Sequence, residues 1–302
     1  MADTSENSQT FSSFRDKWEN NTQLAFNETL NEKSDIFGWI LSRNGFKDKE
    51  QFEKYLAGKN RILDAGCGNG RVTALLNALS RAPTQIIGVD LTAAHVAREN
   101  LKGLNRVSVQ QIDLMGDLKA LGKFDFIYCQ EVLHHTANPR LAFQNLIGCL
   151  GDGGEIAIYV YKIKAPVREY VDDYVRDQIS NLPYQDAMKL MRQITDFGKA
   201  LADLNVKVTV PEVEVLKIPA GEYEIQRLFY HFFVKCFWNG SMNHQENIAI
   251  NYDWYHPQLC TRHTMAEVKG WFADMGLEVQ QECEDFYGIT VRGKFVTPVK
   301  TI

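Results

Sequence analysis

The sequence predicts an α/β protein: a mostly parallel sheet with helices on both faces, a helical segment before it, and a large helical insertion after the fifth strand. Three observations lead there. Between Arg61 and Tyr161, short apolar runs alternate with segments of helical spacing, the pattern of strand–helix–strand units. After Tyr161 the alternation gives way to long helical patterns rich in aromatics and charge. It resumes at His263 with a helix and two strand-like runs.

The elements follow in order. "RILDA" is a short buried strand, and "RVTALLNALS" has helical periodicity. "IIGVD" is a strand ending on Asp90, and "TAAHVARENL" is a helix for which Thr92 is a plausible N-cap. "VSVQQID" ends near Asp113 and "FDFIYCQEV" near Gln130. "NPRLAFQNLIGCL" is a helix with Pro139 in its first turn. "GGEIAIYVY" is the fifth strand. The insertion contains three helical stretches, "VREYVDDYVRDQISNL", "PYQDAMKLMRQITDFGKALADL" and "EYEIQRLFYHFFVKCFW". In the second, Leu190, Ile194, Phe197 and Leu201 share a face. "HTMAEVKGWFADMGLEV" and "DFYGITVRGKF" complete the sheet. Before Arg61 the chain reads as mostly helical, with Phe14, Trp18, Phe37, Trp39 and Tyr55 available for packing. The expected organisation is a disordered tail over 1–12, N-terminal helices and core over 13–161, a substrate-covering insertion over 162–262, and completion of the core over 263–302.

Composition narrows the function. Hydrophobic residues make up 45% and charged residues 24% of 302, as in ordinary globular proteins. The net charge of -5 argues against duplex nucleic acid as a partner. No apolar run reaches the roughly 20 residues of a membrane helix, and "MADTSENSQT" has neither the basic nor the apolar region of a secretory signal. The six cysteines form no C-x-x-C pair, so reduced, mostly buried thiols in a cytoplasmic protein are expected. His256, Cys260 and His263 match no zinc template, and no metal is expected.

The informative stretch is "LDAGCGNG". A dinucleotide fingerprint would place its third glycine at position 71, where Arg71 stands; the glycine comes one residue earlier, at Gly70. No Gly-Lys-Ser/Thr ending marks a P-loop. Asp64, directly before the glycines, would repel a pyrophosphate and suits a ligand with a cationic group. S-adenosylmethionine (SAM) carries an ammonium, a sulfonium, a ribose and an adenine, and no phosphate. Asp90 can accept from ribose hydroxyls, in SAM as in NAD, and Asp113 from an adenine amino group.

"LDAGCGNG", "GVDLT", "QQIDL", "FDFIYCQEVLHH" and "LGDGGEIAIYVY" resemble the successive motifs of class I SAM-dependent methyltransferases. The resemblance is close from Arg61 to Tyr161 and loose from His263 to Phe295. "YDWYHP" and "RHTMAEVKGWF" resemble a pattern of a bacterial subgroup of that family. It implies a seven-stranded Rossmann-like sheet with its last strand antiparallel, and SAM as cofactor. It places Asp64, Gly66 and Gly68 at the methionine end, and Asp90 and Leu91 at the ribose and adenine. Asp113 and Leu114 fall at the adenine edge, with Gln130 and Glu131 near the transferred methyl. The insertion resembles the cover that small-molecule members carry.

Catalytic candidates are His134 or His135 as a base, and Tyr159 and Tyr161, which alternation points to one side of the sheet; core packing is the competing reading. On a helix, Tyr170, Asp173, Tyr174 and Asp177 share a face that could bind a small cation, and Arg168 or Arg176 could hold a carboxylate. Together they suit an amino-acid-like acceptor methylated on S, N or O; a solvated charged face is the alternative. Tyr252, Trp254, Tyr255 and His256 could wall a pocket or form a buried hinge. The expected function is methyl transfer to a small molecule, with no nucleic-acid or membrane partner; the aromatic insertion can equally build a homodimer interface. A non-catalytic SAM-binding subunit and an NAD-dependent oxidoreductase are the alternatives.

Overall fold

The structure is a computed structural model that describes residues 4–295. Four helices, α1 (Thr4–Asn20), α2 (Phe26–Leu30), α3 (Asp35–Arg43) and α4 (Lys49–Leu56), precede β1 (Arg61–Ala65). Then come α5 (Arg71–Leu79), β2 (Gln85–Asp90), α6 (Ala94–Asn100), β3 (Val107–Gln111), β4 (Phe124–Gln130), α7 (Pro139–Ile147) and β5 (Leu150–Tyr161). The insertion holds α8 (Pro166–Ile179), α9 (Tyr184–Asp203), β6 (Lys207–Val210), β7 (Gly221–Glu224), α10 (Ile225–Phe232) and α11 (His244–Tyr255). The chain closes with α12 (Met265–Asp274), β8 (Leu277–Glu284) and β9 (Gly288–Phe295). Within the described residues two compact units result: the first contains Thr22–Lys162 and 261–295, the second 4–21 and Ile163–Cys260.

The first unit is built on a seven-stranded sheet in the order β3-β2-β1-β4-β5-β9-β8. Strands β1 to β5 are parallel, and β9 runs antiparallel to both its neighbours. The central strands are apolar on both sides because both faces are covered. Ile62, Ile86 and Phe126 pack toward Phe37, Ile40, Phe52, Leu56 and Leu75 of α3, α4 and α5. The alternate residues Leu63, Ile87 and Ile127 face Phe143, Leu146, Val268 and Phe272 of α7 and α12. The strand order reverses between β1 and β4, and ligands of open α/β sheets settle beyond the carboxyl ends at such a point.

The second unit corrects several expectations. From Thr4 onward the expected tail is helix α1, and residues 1–3 lie outside the described range. Its polar side chains tie it to the insertion. Gln9 Nε2 donates to the carbonyls of Ser180 (2.6 Å) and His256 (2.9 Å), Thr10 Oγ1 accepts from Leu259 N (3.0 Å), and Lys17 pairs with Asp253 (2.7 Å). Helix α9 buries Ala187, Met188, Met191, Thr195 and Gly198; Leu190 and Phe197, expected inward, are exposed. Gly198 sets this face, because a Cβ there would lie 2.3 Å from the Cys236 carbonyl oxygen. The third helical stretch is shorter than expected. Residues 222–224 belong to an antiparallel hairpin of β6 and β7, and α10 ends at Phe232. Among the described residues no helix is long and apolar enough to cross a membrane. All six cysteines are free, five of them buried.

Candidate active site

The glycine turn leaves the carboxyl end of β1 with left-handed backbone at Gly66 (φ 80°), Gly68 (φ 55°) and Gly70 (φ 88°). The nitrogens of Gly66 and Cys67 both donate to Val89 O at 2.7 and 2.9 Å, which hangs the turn on β2. A Cβ on Gly66 would fall 2.2 Å from Val132 Cγ2, and one on Gly70 2.8 Å from Leu101 Cδ1. The early glycine thus caps α5 and allows its close packing.

Asp90 locks the turn from the end of β2. Its Oδ2 accepts from Gly68 N (2.9 Å), and its Oδ1 from Thr92 N (2.8 Å), Thr92 Oγ1 (3.0 Å) and Ala93 N (2.8 Å). Thr92 is therefore not the N-cap of α6; Ala93 holds that position and makes no side-chain bond. Asp90 instead holds the residues that lead into α6, and Thr92 spends its hydroxyl on that carboxylate. Leu91 is exposed and Leu114 buried, while Asp113 is exposed and accepts from Met115 N at 2.9 Å.

Asp64 lies beneath the turn and is 3% exposed. Thr73 Oγ1 donates to its Oδ2 at 2.5 Å. Burial pushes its carboxyl up to about 7, opposed by the Thr73 bond and the Arg71 charge and reinforced by Asp90. The folded protein therefore holds a proton that the unfolded chain loses above about pH 4. This group costs stability increasingly as pH rises from about 4 to 7. Urea midpoints across that window should fall less steeply for Asp64→Asn than for wild type; parallel curves would show that Asp64 is ionised throughout.

At the end of β4, the Tyr128 hydroxyl donates to Gln130 Oε1. Glu131 adopts φ 61°, and its carboxylate stands 3.7 Å from Arg71 Nη2. A 3-10 turn over Leu133–His135 follows. His134 is fully buried, its ring centroid 3.7 Å from that of Tyr161, and its carbonyl accepts from Thr261 N at 2.8 Å. His135 is half-buried, with its ring 5.5 Å from Tyr161. Tyr159 and Tyr161 are buried, edge to face at 6.2 Å. Three of these four catalytic candidates are thus packed as core, and His135 keeps exposed surface.

Sequence reasoning missed Arg43 on α3. Its Nε and Nη2 both lie 2.9 Å from Asp285 Oδ2, and its guanidinium sits 5.1 Å from the Tyr159 ring centroid. Arg43, Asn44 and Thr290 line a narrow cleft with Tyr128, Cys129, Gln130 and Tyr159. Arg43 and Asp285 are far apart in the chain, and no motif links them. Among the described residues no cluster could hold a metal; His263 instead bonds Glu267 (2.8 Å) and Thr261 (3.0 Å).

In the second unit, Tyr170, Asp173, Tyr174 and Asp177 form an exposed face of α8, with Tyr170 77% exposed. The face has no aromatic packing to desolvate a cation. The buried side of α8 carries Arg168, Asp172 and Arg176. "NYDWYHP" ends a capped helix rather than forming a hinge: Asn243 and Glu246 build a capping box, and Tyr252, Trp254 and Tyr255 lie on buried turns of α11. Asp172 accepts from Arg168 Nε (2.6 Å), Trp254 Nε1 (2.8 Å), Tyr255 OH (2.9 Å) and Lys235 N (3.3 Å). Arg176 donates to Asp173 (2.6 Å) and the Trp254 carbonyl (3.0 Å). His256 stacks on Tyr252 at 4.5 Å and bonds Ser13 (2.9 Å) and the Leu182 carbonyl (3.0 Å); burial holds its pKa below the ordinary value.

The chain resembles known proteins. A family model described as a methyltransferase domain matches residues 27–209, more than half of the chain. An uncharacterized protein of Synechococcus is 37% identical over 109 residues, covering 34% of this chain and 26% of that protein. Juvenile hormone acid O-methyltransferase of Bombyx mori is 32% identical over 32% of this chain and 36% of its own length. The match therefore spans only about a quarter to a third of these two relatives. A ubiquinone biosynthesis O-methyltransferase of Psychrobacter arcticus is 25% identical over 66% of this chain and 72% of its own. Among solved structures, magnesium protoporphyrin IX methyltransferase of Synechocystis, with bound S-adenosylhomocysteine (SAH), covers 95% of this chain and 100% of its own at 13% identity and a TM-score of 0.47. The chain belongs to the methyltransferase-domain family, within the class I SAM-dependent methyltransferases.

Proposed function

We propose that the chain transfers a methyl group from SAM to an O, N or S atom of a small molecule. The observation that carries this reading is the glycine turn at the strand-order reversal, clamped by Asp90 and bordered by the exposed Leu91 and Asp113. The donor set fits SAM. Acids stand at three successive strand ends, and the turn offers backbone that admits no side chain at Gly66. Gly66 and Gly68 would hold the methionine end with Asp64 buried beneath them, Asp90 and Leu91 the ribose and adenine, Asp113 and Leu114 the adenine edge, and Gln130 the side facing the acceptor.

Bound SAM supplies an activated methyl whose leaving group is a neutral thioether. The protein's part is to align the acceptor and exclude water. A hydroxyl or ammonium acceptor must also lose a proton. His135 is the candidate for that step, since its imidazole keeps exposed surface while His134 is fully buried. The names of the matched O-methyltransferases favour oxygen as the acceptor atom. The exposed face of α8 gives an amino-acid-like cation no enclosed seat.

Calorimetric titration tests the reading. Wild type is expected to bind SAM and SAH saturably. Asp90→Ala removes the acceptor of four donors and should weaken both by at least about 100-fold, about 2.7 kcal/mol. A wild-type protein that binds neither ligand ends the proposal.

A further inference from the structure

The interior of the second unit carries more positive than negative charge. Lys17, Lys164, Arg168, Arg176 and Lys235 are each only 2–7% exposed. Among the described residues of that unit, Asp172 is the one carboxylate equally buried. Lys17 pairs with Asp253 (2.7 Å), Arg168 with Asp172 (2.6 Å) and Arg176 with the exposed Asp173 (2.6 Å). Lys235 forms no ion pair among the described residues. Its ammonium has three N–H groups and donates one hydrogen bond from them, to the Ile250 carbonyl at 3.1 Å. Arg176 Nε is also buried without an acceptor among the described residues.

Three of these cations converge on one side chain. The charged groups of Lys235, Arg168 and Lys164 lie 4.7, 5.2 and 5.6 Å from the Trp254 ring, and Arg176 bonds the Trp254 carbonyl. Arg168 has Asp172 opposite it, whereas for Lys235 the indole face recovers only part of the lost hydration. A buried charge without a counter-charge destabilises a fold, and an apolar residue of the same volume would serve packing better. The arrangement is explained if the counter-charge arrives with a ligand.

We propose that the second unit binds a small organic carboxylate at the Lys235 ammonium, beside the Trp254 ring, within the positive field of Lys164, Arg168 and Arg176. One ion-unpaired cation with free N–H groups matches a monoanion that presents two acceptor oxygens. A phosphate dianion would overfill the charge and lose more hydration on entry. Burial lowers the Lys235 pKa to about 7, with Asp253 and Asp172 raising it and Arg168 lowering it. Binding should therefore weaken as pH rises. The groups facing the ammonium are Arg168 and Asp172 from α8, Asp253 and Trp254 from α11, and Cys260 beyond it.

The proposal is independent of methyl transfer, because its readout is binding by the full-length chain without SAM. Sodium benzoate, sodium acetate, inorganic phosphate and neutral benzamide are titrated at constant ionic strength by calorimetry and thermal shift. Benzoate or acetate should bind saturably and raise Tm, roughly 25-fold more tightly at pH 6.5 than at pH 8.5; benzamide should do neither. Lys235→Met should abolish the effect, Lys235→Arg should keep it, and Lys164→Met should weaken it at least threefold. Without ligand at pH 6.5, Lys235→Met should melt about 2 °C or more above wild type, since an unpaired buried charge is gone. Carboxylates that do not bind wild type, or that bind Lys235→Met equally well, overturn the proposal. Phosphate binding more tightly than both carboxylates overturns the assignment of the ligand.

Discussion

Asp172→Ala is expected to destabilise the protein by about 3–5 kcal/mol, the range for breaking a buried pair from one side. The loss comes from what remains. Arg168, 2% exposed, would be buried without its carboxylate at 2.6 Å. The donors Trp254 Nε1, Tyr255 OH and Lys235 N would lose their shared acceptor. The buried positive charge of that unit would then have no fully buried opposite among the described residues. Urea denaturation of wild type, Asp172→Ala, Arg168→Met and the double variant measures the effect. The double variant should be less destabilised than the sum of the singles, with a coupling of about 1–3 kcal/mol. Additive losses would mean that the pair is not the hub of the network.

Gly66→Ala is expected to cost about 2–5 kcal/mol and to abolish SAM binding at ordinary ligand concentrations. Two terms add. The backbone at φ 80° disfavours any residue with a Cβ. That Cβ would also lie 2.2 Å from Val132 Cγ2 and 2.6 Å from Cγ1, both on the branched side chain beyond β4. The terms separate experimentally. Adding Val132→Ala to Gly66→Ala should recover stability by removing the clash, yet leave the backbone strain and most of the binding loss. If the double variant binds SAM as wild type does, the turn needs space at Gly66 and not its conformation.

The first unit was largely legible because its signals are local. Apolar runs of strand length, helical periods between them and glycines at 66, 68 and 70 each act within a few residues. The sheet, its antiparallel strand β9 and the turn follow from them. Where the reading missed, the deciding contacts join distant positions. The polar N-terminus looked unstructured because Gln9, Thr10 and Lys17 hold α1 by bonds to residues about 170 to 250 positions away. Thr92 has the spacing of a cap, but the helix starts one residue later and the Thr92 hydroxyl donates to Asp90. The period of α9 allowed two neighbouring faces, and the Cys236 carbonyl over Gly198 chose between them.

The site shows the same division. The chain alone determined that a phosphate-free, partly cationic cofactor suits the turn, because Asp64, the glycines and the strand-end acids are set by adjacent residues. Tertiary structure decided how those groups are used. Asp64 is turned inward onto Thr73, Asp90 is occupied by four donors, and His134 is sealed against Tyr161. It also reversed the reading of α8: Tyr170 and its partners face solvent, while Arg168, Asp172 and Arg176 face inward. Helical spacing states which side chains share a face. Only packing states which face loses its water, and burial is what turns a charged side chain into a determinant of stability or binding.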